Sequence, residues 1–96
     1  MRDSPQQEQR ATLEIRNKLG LHARAAKLIV ETVTTYDADI KIAKDGQTVD
    51  GKSIMGIMML AAEQGSRIEV TASGPQASEA LAAIRQLVDG RFNEPE

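Results

Sequence analysis

Apolar and polar positions change period several times along the chain, and each change marks an element. Leu13 and Ile15 alternate with Thr12, Glu14 and Arg16, the period-two pattern of a half-buried strand. Gly20 breaks it. From Ala23 to about Thr34 the apolar residues Ala26, Ile29, Val30 and Val33 follow i, i+3, i+4, i+7 spacing, which predicts an amphipathic helix. Alternation returns at Ala38, Ile40 and Ile42 against Asp39 and Lys41. The turn Lys44-Asp45-Gly46 then joins this second strand to a short third one around Thr48-Val49-Asp50. Ser53 suits the N-cap of a short helix over 54–62, whose inward face is Ile57, Leu60 and Ala61, and Gly65 stops it. Ile68, Val70 and Ala72 alternate with Arg67, Glu69 and Thr71 as a fourth strand. After Gly74-Pro75, the residues Ala77, Ala80, Leu81, Ile84 and Val88 line a last helix that Gly90 caps.

The order is β-α-β-β-α-β-α. Clean alternation in each strand leaves one sheet face apolar and the other wet, which favours an antiparallel α+β sheet with helices on one face only. Element order alone also fits a ferredoxin-like domain. Residues 1–10 are polar and predict a flexible extension, 11–90 the single domain, and 91–96 a C-terminal tail.

Composition narrows the chemistry. Hydrophobic residues make up 41% and aromatics 2%, so the core is built from Ile, Val, Leu, Met and Ala. A net charge of −2 without a Lys/Arg block argues against nucleic acid as a partner. There is no cysteine, and one histidine cannot build a zinc site, so no metal or other cofactor is expected. The polar start lacks the apolar core of a signal peptide, and no stretch approaches the roughly 18 apolar residues of a membrane span. A cytoplasmic protein, with no membrane partner and monomeric, is the expectation.

The one histidine, His22, stands in Lys18-Leu19-Gly20-Leu21-His22-Ala23-Arg24-Ala25-Ala26, where a strand ends, the chain turns and a helix begins. A helix start offers free backbone N–H groups and a partial positive charge, which favour phosphate or carboxylate. That positive end disfavours imidazolium and leaves a neutral, nucleophilic ring. Once the ring is loaded, the N–H groups of Ala23 and Arg24 and the Arg24 guanidinium favour the added charge. Neither a water nor a base is supplied to hydrolyse the adduct, so the arrangement describes a carrier rather than an enzyme. The alternative is a small ligand-binding or regulatory module in which His22 has no chemical task.

Two segments, Gly20-Leu21-His22-Ala23-Arg24 and Gly51-Lys52-Ser53-Ile54-Met55-Gly56-Ile57-Met58, resemble the two signatures of the histidine-containing phosphocarrier (HPr) family of bacterial phosphotransferase systems, at the family's separation. The resemblance implies an open-faced β-sandwich of four antiparallel strands with three helices. It implies that His22 takes a phosphoryl group on Nδ1 from enzyme I, charged by phosphoenolpyruvate, and passes it to an enzyme IIA component. It further implies regulatory phosphorylation of Ser53 by an HPr kinase/phosphorylase, and docking of partners, enzyme I through an acidic surface, around Ala23, Lys27, Ile54, Met55 and Met58. The second helix is apolar at nearly every angle, so Ile54, Met55 and Met58 are left outward, and methionines suit a surface meeting several partners. Ser73-Gly74-Pro75 and the ending from Leu87 to Glu96 are similar to nitrogen-related, regulatory carriers. One departure is Ala25, where the family usually has proline.

Overall fold

The computed structural model describes residues 8–96. Four strands, β1 (Gln9–Glu14), β2 (Asp39–Lys44), β3 (Gln47–Asp50) and β4 (Arg67–Ser73), form one antiparallel sheet in the order β1-β4-β2-β3. Three helices, α1 (Ala23–Val33), α2 (Ile54–Met59) and α3 (Ala77–Asp89), cover one face, and a single 3-10 turn (Arg91–Asn93) follows α3. The sheet is the expected open-faced sandwich.

Alternation decides which residues face the helices. Leu13, Ile40, Ile42, Ile68, Val70 and Ala72 are buried, and register aligns them: Leu13 opposite Ile68, and Ile42 and Ile40 opposite Val70 and Ala72. Thr12, Glu14, Lys41 and Glu69, one step out of phase, stay exposed on the other face. Helices α1 and α3 close the core with Ala25, Ala26, Ile29 and Val33 from one and Ala77, Ala80, Leu81, Ile84 and Val88 from the other. The β2–β3 hairpin turns through Asp45 and Gly46, both at positive φ (52° and 82°), as a two-residue primed turn requires.

The structure corrects four expectations. Residues 1–7 of the expected extension lie outside the described residues, but Gln9 and Arg10 belong to β1, where they pair with Ala72 and Thr71 of β4. The second helix ends at Met59, not at 62, because Leu60 caps it and Ala61 takes φ 52°. Ala61 is therefore exposed and Ala62, not Ala61, enters the core. Gly90 does cap α3, but at φ −85°; the left-handed residues are Arg91, Phe92 and Asn93 (φ 56°, 53° and 62°). The last six residues are no tail: Phe92, the chain's one phenylalanine, is fully buried in the core.

Candidate functional site

The loop from β1 to α1 is held from below by the chain that leaves α2. Leu21 N–H donates to the Ala62 carbonyl at 2.9 Å. Gly20 sits at φ 69°, and a Cβ there would come 2.3 Å from that same oxygen, so only glycine lets the two segments approach. The early end of α2 thus has a purpose: the left-handed Ala61 turns the next carbonyl toward the loop that carries His22.

His22 is the N-cap residue of α1, with extended backbone (φ −77°, ψ −178°) and a side chain that leaves the cap position free. Its carbonyl accepts the first helical bond, from Ala26 N–H at 2.9 Å. The N–H groups of Ala23, Arg24 and Ala25 therefore have no acceptor within the helix and point out of its positive end. Leu21 and Ala25 on either side in the sequence are buried, while His22 is partly exposed and Arg24 about half exposed. Ala25 thus occupies the first turn, where proline's fixed φ is also acceptable.

The ring is not free on both sides. His22 Nε2 lies 2.5 Å from Glu94 Oε2, and Arg24 Nη1 donates to that same oxygen at 3.1 Å and to the Phe92 carbonyl at 3.0 Å. The other carboxylate oxygen, Oε1, accepts from Asn17 Nδ2 at 3.0 Å, and Asn17 Nδ2 also donates to the Gly20 carbonyl at 2.9 Å. Both partners of that nitrogen are acceptors, which fixes the orientation of the Asn17 amide and leaves its buried Oδ1 without a partner among the described residues. Burial alone would raise the Glu94 carboxyl pKa. Hydrogen bonds from His22 and Asn17 and the charges of His22 and Arg24 outweigh burial and hold it below the ordinary glutamate value. An ionised carboxylate can only accept, so Nε2 carries the hydrogen, and in the neutral ring the lone pair is on Nδ1.

Neither Asn17 nor Glu94 was visible as a site residue in the sequence. Asn17 reads as a turn residue after a strand. Glu94 lies 72 positions from its histidine with no periodic signal between them. The backbone bond from Lys18 N–H to the Glu96 carbonyl, at 2.8 Å, seats this last segment beside the loop.

The second candidate, Ser53, is the N-cap of α2, where its Oγ accepts from Gly56 N–H at 2.9 Å. Past it, Ile54, Met55 and Met58 stand outward as expected (38%, 73% and 41% exposed), joined by Met59 and Leu19, which the pattern had not singled out. Ala23 and Lys27 are exposed on α1. Among the described residues no group of acidic or histidine side chains is arranged to hold a metal, and no helix is long and apolar enough to cross a membrane.

A family profile described as "PTS HPr component phosphorylation site" matches residues 9–89. The phosphocarrier protein HPr of Neisseria meningitidis is 44% identical over 85 residues, spanning 88% of this chain and 96% of that one. The phosphocarrier protein NPr of Klebsiella oxytoca is 43% identical over 84 residues, 86% of this chain and 93% of its own. The crystal structure of HPr-C-His from Thermoanaerobacter tengcongensis superposes with a TM-score of 0.88 at 41% identity, covering 92% of this chain and 99% of that one. Likeness of this depth, running through sequence and backbone over nearly the whole of both partners, makes the chain a member of the HPr family of bacterial phosphotransferase systems.

Proposed function

We propose that His22 is the phosphoryl acceptor of this carrier, loaded on Nδ1 by enzyme I from phosphoenolpyruvate and unloaded to an enzyme IIA component. The observation that carries this reading is the position of His22. It is an imidazole nucleophile at the N-terminus of α1, with three N–H groups that have no acceptor within the helix and the Arg24 guanidinium in the same turn. The ring supplies the electron pair, and the helix end and Arg24 stabilise the dianionic group that arrives. Among the described residues only Nη1 of Arg24 is engaged, so its other donors are free to meet phosphoryl oxygens. The one carboxylate at the ring among the described residues, Glu94, is taken up by Asn17, His22 and Arg24 rather than left to activate water, which suits a carrier whose cargo must survive until handed on.

The exposed Ile54, Met55 and Met58, with Ala23 and Lys27, form the docking surface in this reading. Ser53 at its edge is the regulatory phosphorylation site of an HPr kinase/phosphorylase. The similarity to the NPr of Klebsiella oxytoca supports a second use of the same chemistry, phosphotransfer in a regulatory rather than a sugar-transport chain.

The test is incubation with enzyme I and phosphoenolpyruvate. One acid-labile, base-stable phosphoryl group is expected on the wild type and none on His22→Ala. Full labelling of His22→Ala would overturn the assignment. Arg24→Ala is expected to fold and to load slowly.

A further inference from the structure

The carboxylate of Glu94 is nearly enclosed, with a side chain 11% exposed, and every hydrogen bond it accepts comes from the loop and helix start that carry His22. Reaching that place is costly. Arg91, Phe92 and Asn93 all adopt left-handed backbone, which is unfavourable for side chains such as those of Arg91 and Phe92. The buried Phe92 ring, the Arg24–Phe92 carbonyl bond and the Lys18–Glu96 bond hold the segment there. Asn17 adds a second mark of a built contact: its buried amide donates to Gly20 and Glu94 and leaves its own oxygen unpartnered among the described residues. Strain and an unsatisfied buried atom are both tolerated around one carboxylate–imidazole pair.

We propose that Glu94 is a positioning residue for phosphoryl transfer: by accepting from Nε2–H it fixes the ring so that Nδ1 faces the donor, and it balances the charge the ring acquires on loading. The inference rests on the reading of His22 as the acceptor. In the step itself, the Nδ1 lone pair forms the N–P bond while the bond between phosphorus and the donor breaks and its electron pair leaves with the donor. The ring then carries the phosphoryl group on Nδ1 and the hydrogen on Nε2, and is cationic until it unloads or releases that proton. A carboxylate on Nε2 stabilises that cation, as an acidic partner stabilises the imidazolium of a hydrolase triad. Glu94 meets the side of the ring opposite the reacting nitrogen, so it does not block approach.

The experiment uses the full chain as wild type, Glu94→Gln and Glu94→Ala, with His22→Ala as the control for the acceptor. Loading is followed as kcat/KM with phosphoenolpyruvate and limiting enzyme I. The His22 Nε2–H resonance is followed by NMR in the unloaded protein, and thermal melting confirms that each variant is folded. Glu94→Gln keeps the shape and a carbonyl acceptor but removes the charge, so a fall there is not a packing effect. Loss of the charge-assisted hydrogen bond corresponds to about a tenfold to hundredfold fall in kcat/KM for Glu94→Ala, and loss of the charge alone to a smaller fall, of about tenfold, for Glu94→Gln. The Nε2–H resonance, strongly deshielded in the wild type, is expected to move toward the ordinary imidazole position in Glu94→Gln and to vanish into exchange in Glu94→Ala. Loading of Glu94→Gln at or above the wild-type rate overturns the proposal, as does slow loading with an unmoved resonance, which would assign Glu94 to docking instead. If wild type and His22→Ala load alike, it is the acceptor assignment that fails.

Discussion

Replacing Ser53 separates a structural role from a regulatory one, because the two respond oppositely to charge. Ser53 Oγ accepts from Gly56 N–H at 2.9 Å, one of the orphan donors of a helix only six residues long. The bond is part-buried, so water replaces the lost acceptor only in part. Ser53→Ala therefore falls in the upper half of the usual range for a lost cap, about 1–2 kcal/mol. In a domain of this size that lowers Tm by about 4–8 °C for each kcal/mol, read by calorimetry or circular dichroism. Ser53→Asp keeps an acceptor for the same N–H and places its charge at the favourable end of the helix, so Tm is expected to hold or rise. The same carboxylate stands beside Ile54 and Met55, both exposed. Against an acidic partner surface, loading of His22 in Ser53→Asp is expected to slow at least about tenfold by like-charge repulsion, while Ser53→Ala loads normally. Phosphorylation adds more charge than aspartate, about −1.5 to −2, and is expected to slow loading further. The switch is refuted if Ser53→Asp loads at the wild-type rate and a cognate kinase leaves Ser53 unlabelled. The cap is refuted if Ser53→Ala melts with the wild type.

Met58→Glu is expected to weaken binding to enzyme I, measured by titration calorimetry, with Tm nearly unchanged because the side chain is 41% exposed; a large fall in Tm would contradict that exposure. Phe92→Ala removes a fully buried ring and is expected to cost about 3–5 kcal/mol in urea unfolding, or less if the last segment undocks on its own, which hydrogen exchange at Lys18 N–H would reveal. Gly20→Ala forces a Cβ to 2.3 Å from the Ala62 carbonyl, and the His22 loop is expected to shift, slowing loading more than a surface substitution does; wild-type loading would refute the close approach. The Glu94 carboxyl titrates below its ordinary value of 4.5, so its contribution to stability is present above that value and is lost as pH falls through the lowered folded value. The stability gap between wild type and Glu94→Gln is accordingly expected to narrow as pH falls below the ordinary glutamate value, and a gap that widened would reverse the sign.

What could be read in advance depended on how local its cause was. Strand alternation at Ile40 and Ile42, the Asp45-Gly46 turn and the Ser53 cap are written within a few residues of where they act, and the structure has them in place. The end of α2 was misread because Ala61 is a good helix former. It leaves the helix because Leu21 needs the Ala62 carbonyl, a demand arriving from 41 residues away. Phe92 followed a plausible helix cap in a polar stretch, so nothing nearby marked it as core. Half of the histidine's surroundings was legible, the half contributed by Gly20 to Arg24; the other half comes from Glu94 through tertiary packing alone.

The strand order also bears on how the protein is born. β4 lies between β1 and β2 and pairs with both, yet it is among the last strands to be synthesised. Only the β2–β3 hairpin can form from neighbours in sequence, and the loop bearing His22 hangs from β1, which has no partner until residue 67 exists. Pairings this distant delay folding and couple it into one cooperative event. Until β4 pairs with β1, the histidine therefore lacks the distant contacts, from Ala62 to its loop and from Glu94 to its ring, that set its place. Competence to carry phosphate arrives all at once, with the closing of the sheet.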